Sequence, residues 1–190
     1  MKKFLLLTLF ACVAINARSQ TTISGGNVSG TWTQAGSPYL INGNISVDTN
    51  SVLTIEPGVT VQFQGSYKLD VQGRVLAIGT ATDTIFFFPT NTSIGWKGIV
   101  FDSTSSTQDS SLFIFCSLKY GKSNTGYPTK GGIFYFNSFS RCRISNSYLN
   151  ANIAVYGGAI YCINASPIIS NNYFYRNNNY SGIGGVIYCN

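Results

Sequence analysis

Short runs of alternating apolar and polar residues, separated by Gly, Pro, Asn and Ser, extend along most of the chain. Residues 51–63 (SVLTIEPGVTVQF) contain two such runs joined by a Pro-Gly turn, and residues 67–71, 74–78 and 84–88 continue the pattern. A period of two is typical of strands, and no convincing 3.6-residue period follows residue 19. The pattern therefore predicts an all-β protein built from short strands.

Two sequence blocks repeat in register in the last third of the chain. The first block reads GGIFYF at 131–136, GGAIYC at 157–162 and GGVIYC at 184–189, with periods of 26 and 27 residues. The second block reads ISNSYL at 144–149 and ISNNYF at 169–174. A period in the twenties with two or three short strands is typical of one turn of a parallel β-solenoid, whose stacked turns bury a common core.

Strand alternation divides the residues of the first block between two faces. One set of alternate positions carries no hydroxyl group and is predicted to face the core. It consists of Phe134, Ile160, Ile187, Phe136, Cys162 and Cys189. The remaining alternate positions are predicted to face outward. They are Ile133, Ala159, Val186, Tyr135, Tyr161 and Tyr188. Cys162 and Cys189 would stack in adjacent coils, either as reduced core thiols or as a disulfide.

Asparagines occupy equivalent positions in the second block and just after it. Asn146 matches Asn171, and Asn152 matches Asn177. Asparagine tolerates the left-handed conformation and can bond to a neighbouring turn. We therefore predict asparagine ladders at the coil corners, with a structural role.

The composition excludes several kinds of chemistry. The chain has no His, which rules out histidine acid–base catalysis and histidine metal ligands. Charged residues are only 9% of the chain, and no CxxC pair is present, so we predict neither a metal site nor a cofactor. Lys2, Lys3 and Arg18 account for half of the net charge of +6, and the other basic residues are scattered, which does not favour nucleic-acid binding.

The N-terminus has the pattern of an export signal. Lys2 and Lys3 precede an apolar run at 4–15, and small residues precede a cleavage point after Ser19. Lipoprotein processing at Cys12 is the alternative. Either form of export places the protein outside the cytoplasm, either secreted or at the cell surface.

Three parts of the chain follow from these patterns. Residues 1–19 are the predicted signal peptide, and residues 20–44 are a predicted N-terminal cap in which Trp32 and Tyr39 cover the first coil. Residues 45–190 are the predicted coils. The last repeat stops after its opening strand, so we expect an incomplete last coil and a C-terminally truncated solenoid.

The repeats resemble those of a known family. Residues 157–160 (GGAI) and 174–177 (FYRN) resemble the GGA[ILV] and FxxN repeats of polymorphic outer-membrane proteins, which form the β-helix passenger of autotransporter adhesins. Residues 53–59 (LTIEPGV) and 96–99 (WKGI) resemble the opening coils of secreted bacterial β-helix proteins. The resemblance implies a right-handed, single-stranded parallel β-helix of the pectate-lyase type and an association with the bacterial outer membrane.

One candidate binding site is the predicted outer column of Tyr135, Tyr161 and Tyr188. Aromatic rings on a rigid face can stack on sugar rings, and the surrounding Asn and Ser side chains can bond to sugar hydroxyls. The alternative is a tyrosine ladder that stabilises the sheet by neighbour stacking or lies under a loop.

A candidate catalytic arrangement consists of Asp70 and Asp102 on nearby coils, with Arg74 or Lys97 beside them. A β-helix glycoside hydrolase needs two carboxylates across the scissile bond. The alternative is that each acid is a turn or surface residue. We assign no catalytic residue on this basis.

The sequence thus predicts a secreted or cell-surface β-helix module with a structural or adhesive role and a polysaccharide or cell-surface glycan as partner. The alternative is the N-terminal part of a polysaccharide lyase or glycoside hydrolase whose active site lies in later coils. A phage tail-fibre domain is a third reading, which the export signal disfavours.

Overall fold

The computed structural model describes residues 19–123, 130–181 and 184–190. The predicted signal peptide, apart from Ser19, lies outside these residues. The described chain winds through seven coils, and each coil runs through successive parallel sheets.

The strands of the first four coils are short. They are β1 (Thr21–Ile23), β2 (Gly26–Asn27), β3 (Gly30–Trp32), β4 (Tyr39–Ile41), β5 (Ile45–Val47), β6 (Val52–Ile55), β7 (Thr60–Phe63), β8 (Leu69–Val71), β9 (Arg74–Ile78), β10 (Ile85–Pro89), β11 (Ile99–Phe101) and β12 (Ser111–Ile114). A 3₁₀ turn at Gln34–Gly36 joins the first coil to the second.

The last three coils add a fourth short strand. They contain β13 (Cys116–Lys119), β14 (Lys122–Ser123), β15 (Phe134–Asn137), β16 (Cys142–Ser145), β17 (Tyr148–Asn150), β18 (Ile153–Ala154), β19 (Ile160–Ile163), β20 (Ile168–Ser170), β21 (Tyr173–Tyr175), β22 (Asn178–Asn179) and β23 (Ile187–Cys189).

Four parallel sheets run along the solenoid. Sheet A is β1-β4-β7-β10-β13-β17-β21, sheet B is β2-β5-β8-β11-β15-β19-β23, sheet C is β3-β6-β9-β12-β16-β20, and sheet D is β14-β18-β22. The prediction of an all-β, right-handed parallel β-helix is confirmed. The pairing starts at Thr21 with β1 against β4, so the coils begin ahead of residue 45, within the segment predicted as a cap. Trp32 and Tyr39 of that segment are both buried and stack at 4.6 Å.

Alternate residues of every long strand fill the interior. Aromatic rings stack between rungs of the core, as Phe63 does on Trp96 at 4.2 Å and Phe101 on Phe136 at 4.9 Å. Phe134, Phe136, Ile160 and Cys162 are fully buried in the same core, which confirms their predicted inward orientation. These contacts between coils supply the apolar burial that a single coil cannot achieve alone.

The predicted outward orientation of Ile133 and Ala159 is wrong. Both side chains are fully buried in the main core, and Val186 packs against it. The strands begin one residue later, at Phe134 and Ile160, so residues 133 and 159 still belong to the corner. Strand alternation does not extend through a corner, and the corner turns these side chains inward.

The corners stack in columns of left-handed residues. One column consists of Phe115, Asn146 and Asn171, with φ of 49°, 50° and 55°. Gly131, Gly157 and Gly184 form another, with φ of 66°, 58° and 60°. A Cβ atom at Gly157 would also collide with the Ile160 carbonyl oxygen. The Gly-Gly pairs therefore mark the coil corners, and Asn146 and Asn171 adopt the left-handed conformation that asparagine tolerates.

Asn152 and Asn177 form a buried hydrogen-bonded ladder. The Nδ2 of Asn152 donates to Oδ1 of Asn177 at 2.8 Å, and its own Oδ1 accepts the Gly121 N–H at 2.8 Å. Nδ2 of Asn177 donates to the Leu149 carbonyl at 2.9 Å. These bonds satisfy backbone groups at the corner and in the adjoining strand, which confirms the predicted structural role.

Candidate functional site

The predicted tyrosine column lies on the outer face of sheet B. Tyr135 pairs in register with Tyr161, and Tyr161 with Tyr188. The rings stack at 5.8 Å between Tyr135 and Tyr161 and at 4.9 Å between Tyr161 and Tyr188. They form an apolar cluster separate from the main core. The outward orientation of the column is therefore confirmed.

The column is nevertheless buried over most of its length. Only 8% of Tyr135 and 4% of Tyr161 is exposed, while Tyr188 is half-buried. Lys130 lies over the column, with its Nζ 4.8 Å from the centre of the Tyr161 ring and 3.2 Å from the Tyr161 hydroxyl oxygen. Tyr156 packs against the same cluster.

Lys130 interacts with Tyr161 as a cation above a ring and as a hydrogen-bond donor. The hydrogen bond to Tyr161 is the main cause that raises the pKa of Lys130, so the ammonium stays charged to a higher pH. Glycan binding by Tyr135, Tyr161 and Tyr188 stays a prediction. Two of the three rings lie almost out of reach of a ligand, and we name this column the covered tyrosine ladder.

The carboxylates of Asp70 and Asp102 lie on adjacent coils of sheet B, as the sequence predicts. Asp70 is in register with Val100, two residues before Asp102. Asp70 forms an ion pair with Lys68 at 2.8 Å, and Asp102 accepts a hydrogen bond from Asn137 at 2.8 Å.

The expectation that Arg74 accompanies these acids is wrong. Arg74 belongs to sheet C, where it forms an ion pair with Asp109 at 3.7 Å. Residue 74 begins a strand beyond the corner at 72–73, so it faces another side of the solenoid. Of the two basic residues suggested beside these acids, Arg74 therefore lies elsewhere, and a role for Lys97 stays a prediction.

The four described cysteines are free thiols. Cys162 and Cys189 are in register on adjacent coils, as predicted. Burial raises the pKa of Cys162 to about 12, with a further contribution from Cys189. Burial likewise raises the pKa of Cys116 and Cys142 well above the usual value. Thiols that resist ionisation are poor nucleophiles, so Cys116, Cys142 and Cys162 serve as core side chains, whereas Cys189 is exposed.

A second tyrosine cluster lies on the outer face of sheet A and is open to solvent. Tyr148 stacks on Tyr173 at 5.2 Å with an angle of 9° between the rings, and Tyr173 lies 6.3 Å from Tyr175. Tyr173 is 59% exposed and Tyr175 is 41% exposed. We name Tyr148, Tyr173 and Tyr175 the open tyrosine face.

Polar groups adjoin the open tyrosine face. Lys119 places its Nζ 5.5 Å from the centre of the Tyr148 ring. Asn150 lies between Lys119 and Tyr175 in the sheet register, but its Oδ1 is buried and has no hydrogen-bond partner among the described residues. Rings beside an ammonium group are a suitable surface for a sugar, which offers both C–H faces and hydroxyls.

Sequence reasoning missed this surface, although the signal was present. Tyr148 and Tyr173 occupy the same position of the second repeat block, and each precedes an inward residue, Leu149 or Phe174. The alternation alone would have placed both tyrosines outside. Their exposure depends on what lies above them, which the repeat does not encode.

Two further features concern residues 19–123, 130–181 and 184–190. No helix there is long and apolar enough to cross a membrane. No group of three or more Cys, Asp or Glu side chains comes together there as a set of metal ligands.

Comparison with known proteins gives one distant similarity. A stretch of 84 residues is 32% identical to "Protein bark beetle" of Drosophila melanogaster, covering 43% of this chain but only 3% of that protein. No protein-family model matches the chain, and no solved structure matches it. The parallel β-helix is thus established by the structure, while the finer repeat type rests on the sequence motifs.

Proposed function

We propose that this chain is a secreted or cell-surface β-helix module with a structural or adhesive role, which binds glycans on the open tyrosine face. Its repeats are proposed to be of the type found in polymorphic outer-membrane proteins. The export pattern of residues 2–19 supports the location outside the cytoplasm. The partner would be a polysaccharide or a cell-surface glycan, and we propose an association with the bacterial outer membrane.

The observation that carries the proposal is the exposure of stacked aromatic rings on a rigid sheet. Tyr173 lies on β21, the last strand of sheet A among the described residues, where it stacks on Tyr148 and is 59% exposed. Aromatic side chains fixed by backbone pairing lose little further entropy when a ligand stacks on them. Tyrosine also supplies a hydroxyl that can bond to a sugar.

The test is a glycan-array screen of the purified chain beside the double variant Tyr173→Ala/Tyr175→Ala. We expect binding by the wild type and at least tenfold weaker binding by the variant, since roughly 1.4 kcal/mol of lost stacking corresponds to that factor. Tyr180→Ala is the matched control, because Tyr180 is 63% exposed but lies after sheet D. The control should bind as the wild type does.

Two outcomes would redirect the proposal. Loss of binding in Tyr188→Ala, with Tyr173→Ala/Tyr175→Ala unaffected, would place the site on the column predicted from the sequence. Absence of binding by a correctly folded wild type, checked by circular dichroism, would reduce the chain to a scaffold.

A further inference from the structure

A cleft of about 390 Å³ lies on the outer face of sheet C, across strands β12, β16 and β20. Six of the residues that line it carry the argument, namely Arg141, Arg143, Ser110, Ser140, Leu112 and Ile168. Leu112, Arg143 and Ile168 occupy one column of the sheet register. The cleft is distant in the fold from the open tyrosine face, which belongs to sheet A.

Two arginines line this cleft side by side. Arg141 immediately precedes β16 and Arg143 lies within that strand, and both side chains are exposed. Arg143 has neither a hydrogen bond nor an ion pair among the described residues. Arg141 uses one N–H to donate to the Thr107 carbonyl at 3.3 Å and keeps its other donors available.

The nearby carboxylate of Asp109 already has an ionic partner outside the cleft. Asp109 forms an ion pair with Arg74 at 3.7 Å, and Arg74 also donates from Nε to the Ser110 carbonyl at 3.0 Å. The sequence contains no Asp or Glu from Ser110 to Asn190. The two arginines of the cleft therefore present positive charge that no carboxylate of the surrounding coils offsets.

We propose that this cleft binds the anionic substituent, carboxylate or sulfate, of an acidic polysaccharide. Guanidinium groups bind planar or tetrahedral oxyanions through paired N–H donors. The hydroxyls of Ser110 and Ser140 can bond to sugar hydroxyls, while Leu112 and Ile168 offer apolar contact to the ring.

A nucleic acid fits the cleft less well. Protein sites for single strands stack bases on aromatic rings, and none of the residues that line the cleft is aromatic. Duplex binding needs a broader set of cationic contacts along the backbone than two arginines provide. The inference concerns a different face and a different ligand group from the proposed function, and either can hold without the other.

The test is isothermal titration of the purified chain at low salt with three oligosaccharides. These are an oligogalacturonate, a heparin-derived sulfated oligosaccharide, and a neutral galactan oligomer of the same length. We expect the chain to bind at least one anionic oligomer and to bind the neutral one at least tenfold more weakly. The anionic oligomer that binds more tightly identifies the substituent.

Arg141→Gln/Arg143→Gln should weaken binding of the anionic oligomer by roughly a hundredfold, about tenfold for each charge-assisted contact. Arg141→Lys/Arg143→Lys keeps the charge but loses the paired donors, and we expect an intermediate loss. Lys122→Gln removes one positive charge from sheet D, away from the cleft, and should bind as the wild type does. Circular dichroism and thermal unfolding confirm that each variant is folded.

Several results would overturn the inference. They are equal binding of neutral and anionic oligomers, unchanged binding by Arg141→Gln/Arg143→Gln, or an equal loss in Lys122→Gln. Duplex DNA or anionic lipid vesicles that bind through the same arginines as tightly as the oligosaccharide would also contradict it. Tyr173→Ala/Tyr175→Ala should retain anion binding, which separates a failure here from a failure of the open tyrosine face.

Discussion

The two tyrosine clusters have the same internal geometry and opposite surroundings. Tyr161 stacks on Tyr188 at 4.9 Å with an angle of 8°, and Tyr148 stacks on Tyr173 at 5.2 Å with an angle of 9°. Yet Tyr161 is 4% exposed and Tyr173 is 59% exposed. Stacking follows from the parallel register, which repeats every rung, whereas exposure depends on what lies over the sheet.

Position in the sheet and the covering residues together explain the difference, since Tyr161 lies between Tyr135 and Tyr188 while Tyr173 lies on the last strand of sheet A among the described residues. Lys130 and Tyr156 pair with each other in a parallel bridge and both pack on the covered tyrosine ladder. On the open tyrosine face, Lys119 places its Nζ 5.5 Å from the centre of the Tyr148 ring, and the Arg176 guanidinium lies 5.0 Å from the centre of the Tyr175 ring. The repeated outward tyrosine therefore forms a buried structural ladder on sheet B, whereas on sheet A it remains accessible to a ligand.

The largest expected effect is on stability when one ring of each cluster is removed. Tyr161→Ala should lower the free energy of unfolding by about 3 kcal/mol, because a buried aromatic side chain leaves a cavity. Tyr173→Ala should lower it by about 1 kcal/mol or less, the value of one exposed stack. Urea unfolding of both variants measures the two changes. Equal losses would contradict the distinction between covered and open clusters.

A second expected effect concerns the residues that point inward beneath each cluster. Cys162 follows Tyr161, whereas the non-titrating Leu149 follows Tyr148. The unfolded chain releases the Cys162 proton near pH 9.0, but burial holds the native pKa at about 12. The unfolded state then binds fewer protons, so stability falls as pH rises through this window, by about 1.4 kcal/mol per pH unit for one thiol.

Unfolding measured below and above pH 9.0 in wild type and Cys162→Ala tests this sign. At the lower pH, Cys162→Ala should have a smaller free energy of unfolding than the wild type, because the substitution leaves a small cavity. The difference in unfolding free energy between the two proteins should become smaller as pH rises. Leu149→Ala is the control beneath the open cluster, and its difference from wild type should not change with pH. If the unfolding free energies of wild type and Cys162→Ala change with pH in parallel, the Cys162 thiol has the same pKa in the folded and unfolded states, which would contradict the prediction.

The smallest expected effect isolates the contact with Lys130. Tyr161→Phe removes the hydroxyl that accepts the Lys130 Nζ hydrogen bond and should cost about 1 kcal/mol. Tyr173→Phe removes a solvated hydroxyl and should change stability by less than about 0.5 kcal/mol. Thermal unfolding of the two conservative variants compares them directly. Identical midpoints would mean that Lys130 covers the ladder without stabilising it.

The local patterns of the sequence predicted much of the fold. Gly157 and Asn171 mark corners because few residues tolerate a left-handed backbone, and the Asn152–Asn177 ladder follows from their equivalent positions. The outward orientation of Tyr161 follows from strand alternation. Each of these inferences depends on the conformation of a few neighbouring residues or on the repeat itself.

What only the tertiary structure decided depends on residues that are distant along the chain. Ile133 turns inward because a corner interrupts the alternation, and Arg74 faces sheet C because a corner separates it from Asp70. The burial of Tyr161 requires Lys130 and Tyr156 above it, and the cleft requires three coils side by side. Period and side-chain parity are local properties that a sequence displays, whereas exposure and charge balance arise only when the coils come together.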